Sequence, residues 1–203
     1  METLILVRHA LAFSNRDGIA SCRVPGDGLT PEGVEQARIL RDLVAPMEIA
    51  LGVSSELART RETLGLALEG RNVPTVALAE LNEIDFGSFA DGPLDAYRAW
   101  AAAHSPVEPA PGGGDSRASA AARFARGLRA VLARPEQSVL LVWHALALRY
   151  VLDAVDGLDP APLITPVEHA VPYPLDGDGV VRAAELLESW SRSPRFRPGT
   201  MGT

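Results

Sequence analysis

In this 203-residue sequence, four apolar runs are each followed by arginine, histidine or glutamate. Turn residues such as Gly or Asn would be ordinary at the ends of such runs. Arg8 and His9 come directly after the run LILV, and His144 comes directly after SVLLVW. Arg59 follows IALGVSS by a few residues, and Glu83 follows TVALAEL. If these runs are strands of one sheet, the side chains that follow them can meet at one edge of it.

This set of residue types suits phosphoryl transfer through histidine. An arginine guanidinium donates paired hydrogen bonds to phosphate oxygens, and a neutral imidazole can attack phosphorus. A carboxylic acid can protonate the leaving oxygen and then activate water, so that no metal is required. Each residue also has an ordinary structural interpretation, since Arg59 could simply pair with Glu56 or Glu62 on a helix surface. The coincidence of several such residues at strand ends favours the chemical interpretation.

The pattern between these runs predicts that strands alternate with helices. Thr30 is a predicted N-cap with Pro31 at the first helical position, and apolar residues then recur at helical spacing up to Pro46. Further helices are predicted at four places, around 56–70, 94–103, 116–133 and 146–155. Such alternation predicts an α/β fold, a three-layer α/β/α sandwich with a mainly parallel central sheet. Ligands of such sheets bind beyond the carboxyl ends of the strands.

Two stretches depart from the alternating pattern. Residues 86–115 contain a Pro/Gly-rich connection and predict a lid inserted in the fold. Near the C-terminus, HAVPYPL and VVRAAEL flank DGDG and predict a hairpin. We therefore expect one domain over residues 1–190, with the lid inserted, and a flexible tail over residues 191–203.

Composition narrows the possible classes of protein. A net charge of −7 argues against a nucleic-acid-binding protein, and all 19 basic residues are arginine, which excludes a lysine-dependent mechanism. No apolar run is long enough to span a membrane, and the N-terminal residues lack the pattern of a signal peptide. We therefore expect a cytoplasmic protein without membrane contact; nothing in the sequence indicates an oligomeric state. Cys22, the single cysteine, has no histidine near it, and His104 and His169 are interpreted as structural.

Four segments resemble, in order, the motifs of the histidine phosphatase superfamily, also called phosphoglycerate-mutase-like: VRHALAFSN, SSELARTRET, LNEIDFGSFADG and VLLVWHALALR. The resemblance extends from residue 3 to about residue 175. It implies that His9 becomes a phosphohistidine and that Glu83 is the general acid. The family places this acid shortly before a Phe/Tyr-Gly pair, which fits Glu83 better than Glu80. The resemblance also implies four residues that bind the phosphoryl group: Arg8, Asn15, Arg59 and His144.

The sequence departs from the family pattern near both histidines. Ala12 occupies a position where the family usually has Thr, and Ala10 and Ala145 follow the histidines where Gly is common. Trp143 precedes the second histidine in place of a small hydroxylated residue. None of these changes removes an essential group. Together with Ala12 and Leu146, however, Phe13 and Trp143 predict an apolar pocket. Phe13 and Trp143 also predict a preference for an aromatic or apolar leaving group.

The resemblance implies an enzyme that needs no cofactor. The expected activity is that of a metal-independent, histidine acid phosphatase-like phosphomonoester hydrolase that acts on a small phosphorylated metabolite. A phosphoglycerate-mutase-type phosphotransferase is the first alternative, although such mutases usually have longer chains. A catalytically weak phosphate-binding protein on the same fold is the second alternative. A metallohydrolase is disfavoured because the sequence has no His-x-His or His-Glu-x-x-His pair.

Overall fold

The fold is built around a five-stranded sheet. A computed structural model describes residues 1–197, and residues 198–203 lie outside the described residues. The strands are β1 (Thr3–Arg8), β2 (Leu51–Ser54), β3 (Thr75–Ala77), β4 (Ser138–Trp143) and β5 (Pro172–Asp176). Their order across the sheet is β3-β2-β4-β1-β5, and every pair is parallel except β1 with β5.

Seven α-helices accompany the strands in the described part of the chain. They are α1 (Phe13–Arg16), α2 (Pro31–Val44), α3 (Ala58–Ala67), α4 (Leu94–Ala103), α5 (Arg117–Leu132), α6 (Ala145–Val155) and α7 (Gly177–Arg192). Two 3₁₀ turns, Ala79–Leu81 and Gly87–Phe89, lie between β3 and α4. None of the helices in residues 1–197 is both long enough and apolar enough to cross a membrane.

Apolar side chains of the strands alternate between two cores, one on each face of the sheet. Leu4 and Leu6 of β1 belong to the larger core, which α4, α5, α6 and α7 complete. Ile5 and Val7 point to the opposite face, where α2 and α3 cover a smaller core. A strand buried on both faces reads as a continuous apolar run, as the sequence LILV does. The predicted three-layer α/β/α sandwich with a mainly parallel sheet is confirmed.

The central pair of strands brings the two predicted site histidines together. β1 and β4 run in parallel register, with Arg8 opposite Trp143. Just beyond the last ladder position, the backbone N–H of His9 donates to the carbonyl oxygen of Trp143 at 2.9 Å. Parallel neighbours end at the same edge of a sheet, so His9 and His144 emerge side by side.

Side-chain caps explain why α2 and α7 begin where they do. Thr30 accepts a hydrogen bond from the N–H of Gly33, with Pro31 at the first helical position, as predicted. Asp176 caps α7 in the same way, by accepting from the N–H of Gly179 at 2.6 Å. The predicted hairpin around DGDG is therefore wrong. Asp176 ends β5 and starts a helix, whose apolar residues from Val180 onward recur at helical spacing and are buried in the larger core.

The two ends of the inserted segment, residues 86–115, are joined by hydrogen bonds. The backbone N–H of Asp115 donates to the carbonyl oxygen of Asp85 at 2.9 Å, and the N–H of Asp85 donates to the Asp115 carboxylate at 3.1 Å. Arg123 of α5 forms an ion pair with Asp115 at 2.8 Å. The segment thus leaves and rejoins the domain at one point, directly after Glu83.

The C-terminal residues that the structure describes lie against the domain. The indole N–H of Trp190 donates to the carbonyl oxygen of Arg195 at 2.8 Å, and Phe196 packs against the larger core. Arg197 forms an ion pair with Asp153 at 2.9 Å. Of the predicted tail, residues 191–197 therefore make specific contacts, whereas residues 198–203 lie outside the described residues.

Candidate active site

Three of the predicted site residues meet at the carboxyl edge of β1, β2 and β4. The rings of His9 and His144 are 5.4 Å apart between centroids. The guanidinium of Arg59, near the start of α3, lies between them: its Nε is 3.2 Å from Nε2 of His9, and its Nη2 is 3.5 Å from Nδ1 of His144. All three side chains are almost completely buried.

The surroundings of His9 leave its Nε2 atom unprotonated. Nδ1 lies 2.8 Å from the carbonyl oxygen of Ala10, an acceptor, so the ring proton belongs on Nδ1. Nε2 can then accept the hydrogen bond from Arg59. Burial holds the pKa of His9 well below its usual value, and the charge of Arg59 lowers this pKa further. His9 therefore presents a neutral imidazole with a lone pair on Nε2, as a nucleophile requires.

Arg59 is also anchored by the loop that precedes α2. Its Nη2 donates to the carbonyl oxygen of Ser21 at 2.9 Å, and its Nη1 lies 3.5 Å from the Asp27 carboxylate. Burial lowers the pKa of Arg59, while Glu83 and Asp27 oppose this change. These contacts fix the guanidinium plane beside His9 before any ligand arrives.

A chain of hydroxyl groups orients His144. A guanidinium can only donate, so Nδ1 of His144, which faces Arg59, is an acceptor and Nε2 carries the proton. Nε2 then donates to Oγ of Ser55 at 2.9 Å, and Ser55 can donate to Oγ1 of Thr60 at 2.8 Å. Thr60 in turn donates to the carbonyl oxygen of Leu57 at 2.8 Å. The hydroxyl chain therefore holds Nε2 and leaves Nδ1 facing Arg59 and Glu83.

Glu83 is the carboxyl group closest to this pair of histidines. One of its oxygens lies 3.7 Å from Nδ1 of His144, and the other accepts a hydrogen bond from the N–H of Ile84 at 3.0 Å. Burial raises the pKa of Glu83 above its usual value, against the opposing charges of Arg59 and other arginines. The raised pKa favours the protonated form that a general acid needs. Glu80, by contrast, is exposed on a 3₁₀ turn and does not line the cavity.

Arg8 and Asn15 complete the predicted set. Arg8 donates to the carbonyl oxygen of Val167 at 2.7 Å, and its buried Nε has no partner. Burial lowers the pKa of Arg8 to about 10, which still leaves the side chain charged at neutral pH. Asn15 lies on α1, accepts a hydrogen bond from the N–H of Ala12 at 3.3 Å and lines the cavity. Both side chains can therefore reach a bound anion.

Five of these residues line a cavity of about 430 Å³: Arg8, His9, Asn15, Arg59 and Glu83. His144 is fully buried behind Arg59 and Glu83 and does not line the cavity. Apolar residues form part of the remaining wall, namely Leu94, Leu146, Leu163, Ile164 and Val167. Of the four residues expected to provide the apolar surface, Leu146 lines the cavity, whereas Ala12, Phe13 and Trp143 do not. Trp143 is fully buried against Phe124 and donates to the carbonyl oxygen of Leu81, while Phe13 lines a separate groove. Within residues 1–197, no group of three His, Cys, Asp or Glu side chains is arranged to hold a metal ion.

Several contacts of the site were not predicted from the sequence. His169, which was interpreted as structural, has its ring 5.5 Å from that of His9 and its Nδ1 2.6 Å from the carbonyl oxygen of His9. Thr63 accepts from the N–H of Ala10 at 3.0 Å, which holds the backbone beside His9. Hydroxyl residues flanking Arg59 in SSELARTRET are a sequence signal for this support. No comparable signal marks the contacts that Asp27 makes from its loop.

The fold and the site together define a class of protein: a phosphoglycerate-mutase-like α/β domain with two histidines, two arginines and a buried carboxyl group at its sheet edge. The family model for the histidine phosphatase superfamily (branch 1) matches residues 4–168. The chain therefore belongs to the histidine phosphatase superfamily.

Two kinds of curated protein are similar to this chain. The adenosylcobalamin/alpha-ribazole phosphatase of Salmonella typhimurium is 42% identical over 86 residues, which is 42% of this chain and 42% of that protein. The chain thus matches about two fifths of the length of that relative. The 2,3-bisphosphoglycerate-dependent phosphoglycerate mutase of Brucella ovis is 28% identical over 207 aligned positions, which cover 93% of this chain and 99% of the mutase.

A solved structure agrees with the fold over most of the chain. The structure of a putative alpha-ribazole-5'-P phosphatase from Escherichia coli K-12 superposes with a TM-score of 0.75 at 28% sequence identity. The superposition covers 86% of this chain and 90% of that one.

Proposed function

We propose that this protein is a metal-independent phosphomonoester hydrolase that transfers the phosphoryl group of a small phosphorylated metabolite to His9 and then to water. The observation that carries the proposal is the neutral His9 ring, whose unprotonated Nε2 faces the guanidinium of Arg59 in a cavity that also contains Glu83. Nucleophile, cation and acid thus lie within one enclosed space.

In the proposed first step, the phosphoryl group binds among Arg8, Asn15, Arg59 and His144. Its oxygens take over the hydrogen bond that Arg59 makes with His9, which frees the lone pair on Nε2. A bond then forms between Nε2 and phosphorus while the bond from phosphorus to the leaving oxygen breaks. Glu83 supplies the proton that the leaving oxygen needs.

In the proposed second step, the Glu83 carboxylate takes a proton from water. The hydroxide attacks phosphorus, the bond between Nε2 and phosphorus breaks, and inorganic phosphate leaves. His9 regains its lone pair and Glu83 its proton, so the cycle closes without another reactant.

Similarity to the alpha-ribazole phosphatases supports hydrolysis of a phosphorylated small molecule. Phosphoryl transfer to a second metabolite is the alternative, because the mutase of Brucella ovis aligns with 93% of this chain. The two functions share the first step and differ in the acceptor. Incubation with 3-phosphoglycerate and 2,3-bisphosphoglycerate separates them, since a mutase forms 2-phosphoglycerate and a hydrolase releases inorganic phosphate.

The test is hydrolysis of p-nitrophenyl phosphate in the presence of EDTA, with rapid quenching in alkaline detergent, in which a phosphohistidine survives, to detect a phosphoenzyme. We expect turnover with EDTA present, and we expect His9→Ala to abolish both turnover and phosphoenzyme. His104→Ala is the matched control, because His104 stacks on Trp100 and does not line the cavity. Loss of activity in EDTA, or a phosphoenzyme that persists in His9→Ala, would contradict the proposal.

A further inference from the structure

Arg117 is a buried cation in the wall of the cavity that the proposed mechanism does not use. It is the first residue of α5, its exposed fraction is 9%, and it lines the same cavity as His9 and Glu83. Its Nε is fully buried and has no hydrogen-bond partner. Burial alone would lower the pKa of Arg117, but Tyr150, Tyr97 and the charge of Glu83 raise it, so the side chain is a cation.

Aromatic side chains surround this guanidinium. Its Cζ lies 5.6 Å from the centroid of the Tyr97 ring, and the buried Tyr150 hydroxyl is beside it. Burial raises the pKa of Tyr97 to about 12 and also raises that of Tyr150, so neither supplies a negative charge at neutral pH. The guanidinium therefore has neutral partners and an unpaired Nε, which leaves a buried donor for an anion on a ligand.

Arg117 reaches the cavity from a different element than the other cations beside His9. It is the first residue of α5, whereas Arg8 ends β1 and Arg59 lies in α3. Tyr97 and Arg98 of α4 line the cavity together with Arg117, as does the apolar wall. The lining of the cavity therefore combines cations from several elements with apolar surface.

We propose that Arg117 binds a second anionic group of the substrate, a carboxylate or a phosphate on the part that leaves, while the transferred phosphoryl group occupies the site at His9. This inference rests on the proposed function, since it names the substrate class of the same cavity. The substrate is then a phosphomonoester with an apolar body and an anion at its far end. The apolar wall contacts the body, and the guanidinium donates hydrogen bonds to the anion.

The test measures binding, so that it does not depend on turnover. Phenylphosphonate is compared with its 3-carboxy, 4-carboxy and 4-phosphono derivatives by isothermal titration calorimetry on the wild type, Arg117→Met and Arg126→Met. Arg126 is exposed on the same helix and serves as the matched control. We expect the wild type and Arg126→Met to bind at least one of the three derivatives with a second anionic group about tenfold or more tightly than phenylphosphonate. In Arg117→Met this preference should vanish, while the affinity for phenylphosphonate stays within about threefold.

Thermal unfolding of the same variants shows whether Arg117→Met is folded. We expect a cooperative transition, because methionine retains the length and the apolar contacts of the arginine stem. Equal affinity of the wild type for all four phosphonates would overturn the inference, as would a preference that survives in Arg117→Met. If the binding preference is found but phenyl phosphate is not hydrolysed, the proposed function fails and the anion site stands.

Discussion

Replacement of Glu83 by Gln tests the proposed acid most directly. Glutamine has the shape of the protonated acid and can still accept the hydrogen bond from Ile84, but it cannot release a proton. Proton transfer by a positioned side chain contributes about 10²–10⁴ to a rate, or about 2.7–5.5 kcal/mol of barrier. We therefore expect kcat/KM for an alkyl phosphate, whose leaving oxygen needs a proton, to fall by about that factor.

The leaving group decides how large the loss is. p-Nitrophenolate leaves without a proton, so kcat/KM for p-nitrophenyl phosphate should fall by about tenfold or less in Glu83→Gln. Because Glu83 is also the proposed base for the second step, this variant should release one equivalent of p-nitrophenol in a burst and then turn over slowly. Stopped-flow absorbance measures the burst. Glu80→Gln is the control, and we expect it to behave like the wild type because Glu80 is exposed.

The pH dependence provides a second measure of the same residue. The pKa of Glu83 is raised by burial, so alkyl phosphate hydrolysis should fall as the pH rises through that pKa, and this limb should be missing in Glu83→Gln. A carboxyl group whose pKa is higher in the folded protein than in the unfolded protein stabilises the fold at pH values below its unfolded-state pKa. This contribution is lost as the pH rises through its folded-state pKa. Glu83→Gln should therefore unfold at a higher temperature than the wild type in mildly alkaline buffer. Equal losses with alkyl and aryl phosphates, or a burst that is absent, would refute the assignment of Glu83.

Three further predictions concern the support of the site. Ser55→Ala removes the acceptor of His144 Nε2, so kcat/KM should fall about tenfold or more and the free energy of unfolding by about 1–3 kcal/mol; unchanged kinetics would contradict the hydroxyl chain. Since burial lowers the pKa of His9 and His144, the unfolding free energy of Glu83→Gln, in which the opposing contribution of Glu83 is absent, should fall as the pH drops below about 6.5 in urea titrations. A flat profile down to about pH 5 would contradict this. Gly65 of α3 has open space around it, so Gly65→Ala should stabilise the protein by about 0.5–1 kcal/mol. Gly33→Ala in α2 should destabilise the protein, because the added Cβ would overlap a carbonyl oxygen of the loop after β1; calorimetric melting temperatures that shift in the same direction for both variants would refute the contrast.

Local signals account for the parts of the fold that were predicted correctly. Thr30 and Pro31 define the start of α2 through one hydrogen bond and one fixed backbone angle, both within a few residues. The strand LILV is recognisable because each of its residues is buried, whichever face it points to. The same signals mislead at DGDG, since Asp176 can begin either a turn or a helix. The helix forms because the apolar residues that follow have a core to fill.

Long-range packing decides the parts that were missed. His169 reaches the carbonyl of His9 across 160 residues of chain, and no local pattern records that contact. The burial of Arg117 depends on Tyr97 from another helix, so its sequence neighbours show only the start of α5. Trp143 was assigned to the pocket from its position beside His144. The alternation of side chains along β4 instead directs it into the larger core, with Val142 on the opposite face.

The hydrogen bonds between Asp85 and Asp115 have a consequence for how such a protein can change over time. They hold both ends of residues 86–115 at one point, and the entropy cost of closing a loop grows only slowly with its length. Insertions, deletions or recombination between these two aspartates can therefore replace the segment without displacing the carboxyl group just before it. Changes in residues 86–115 can then alter substrate preference while the residues of the candidate active site at the sheet edge stay the same.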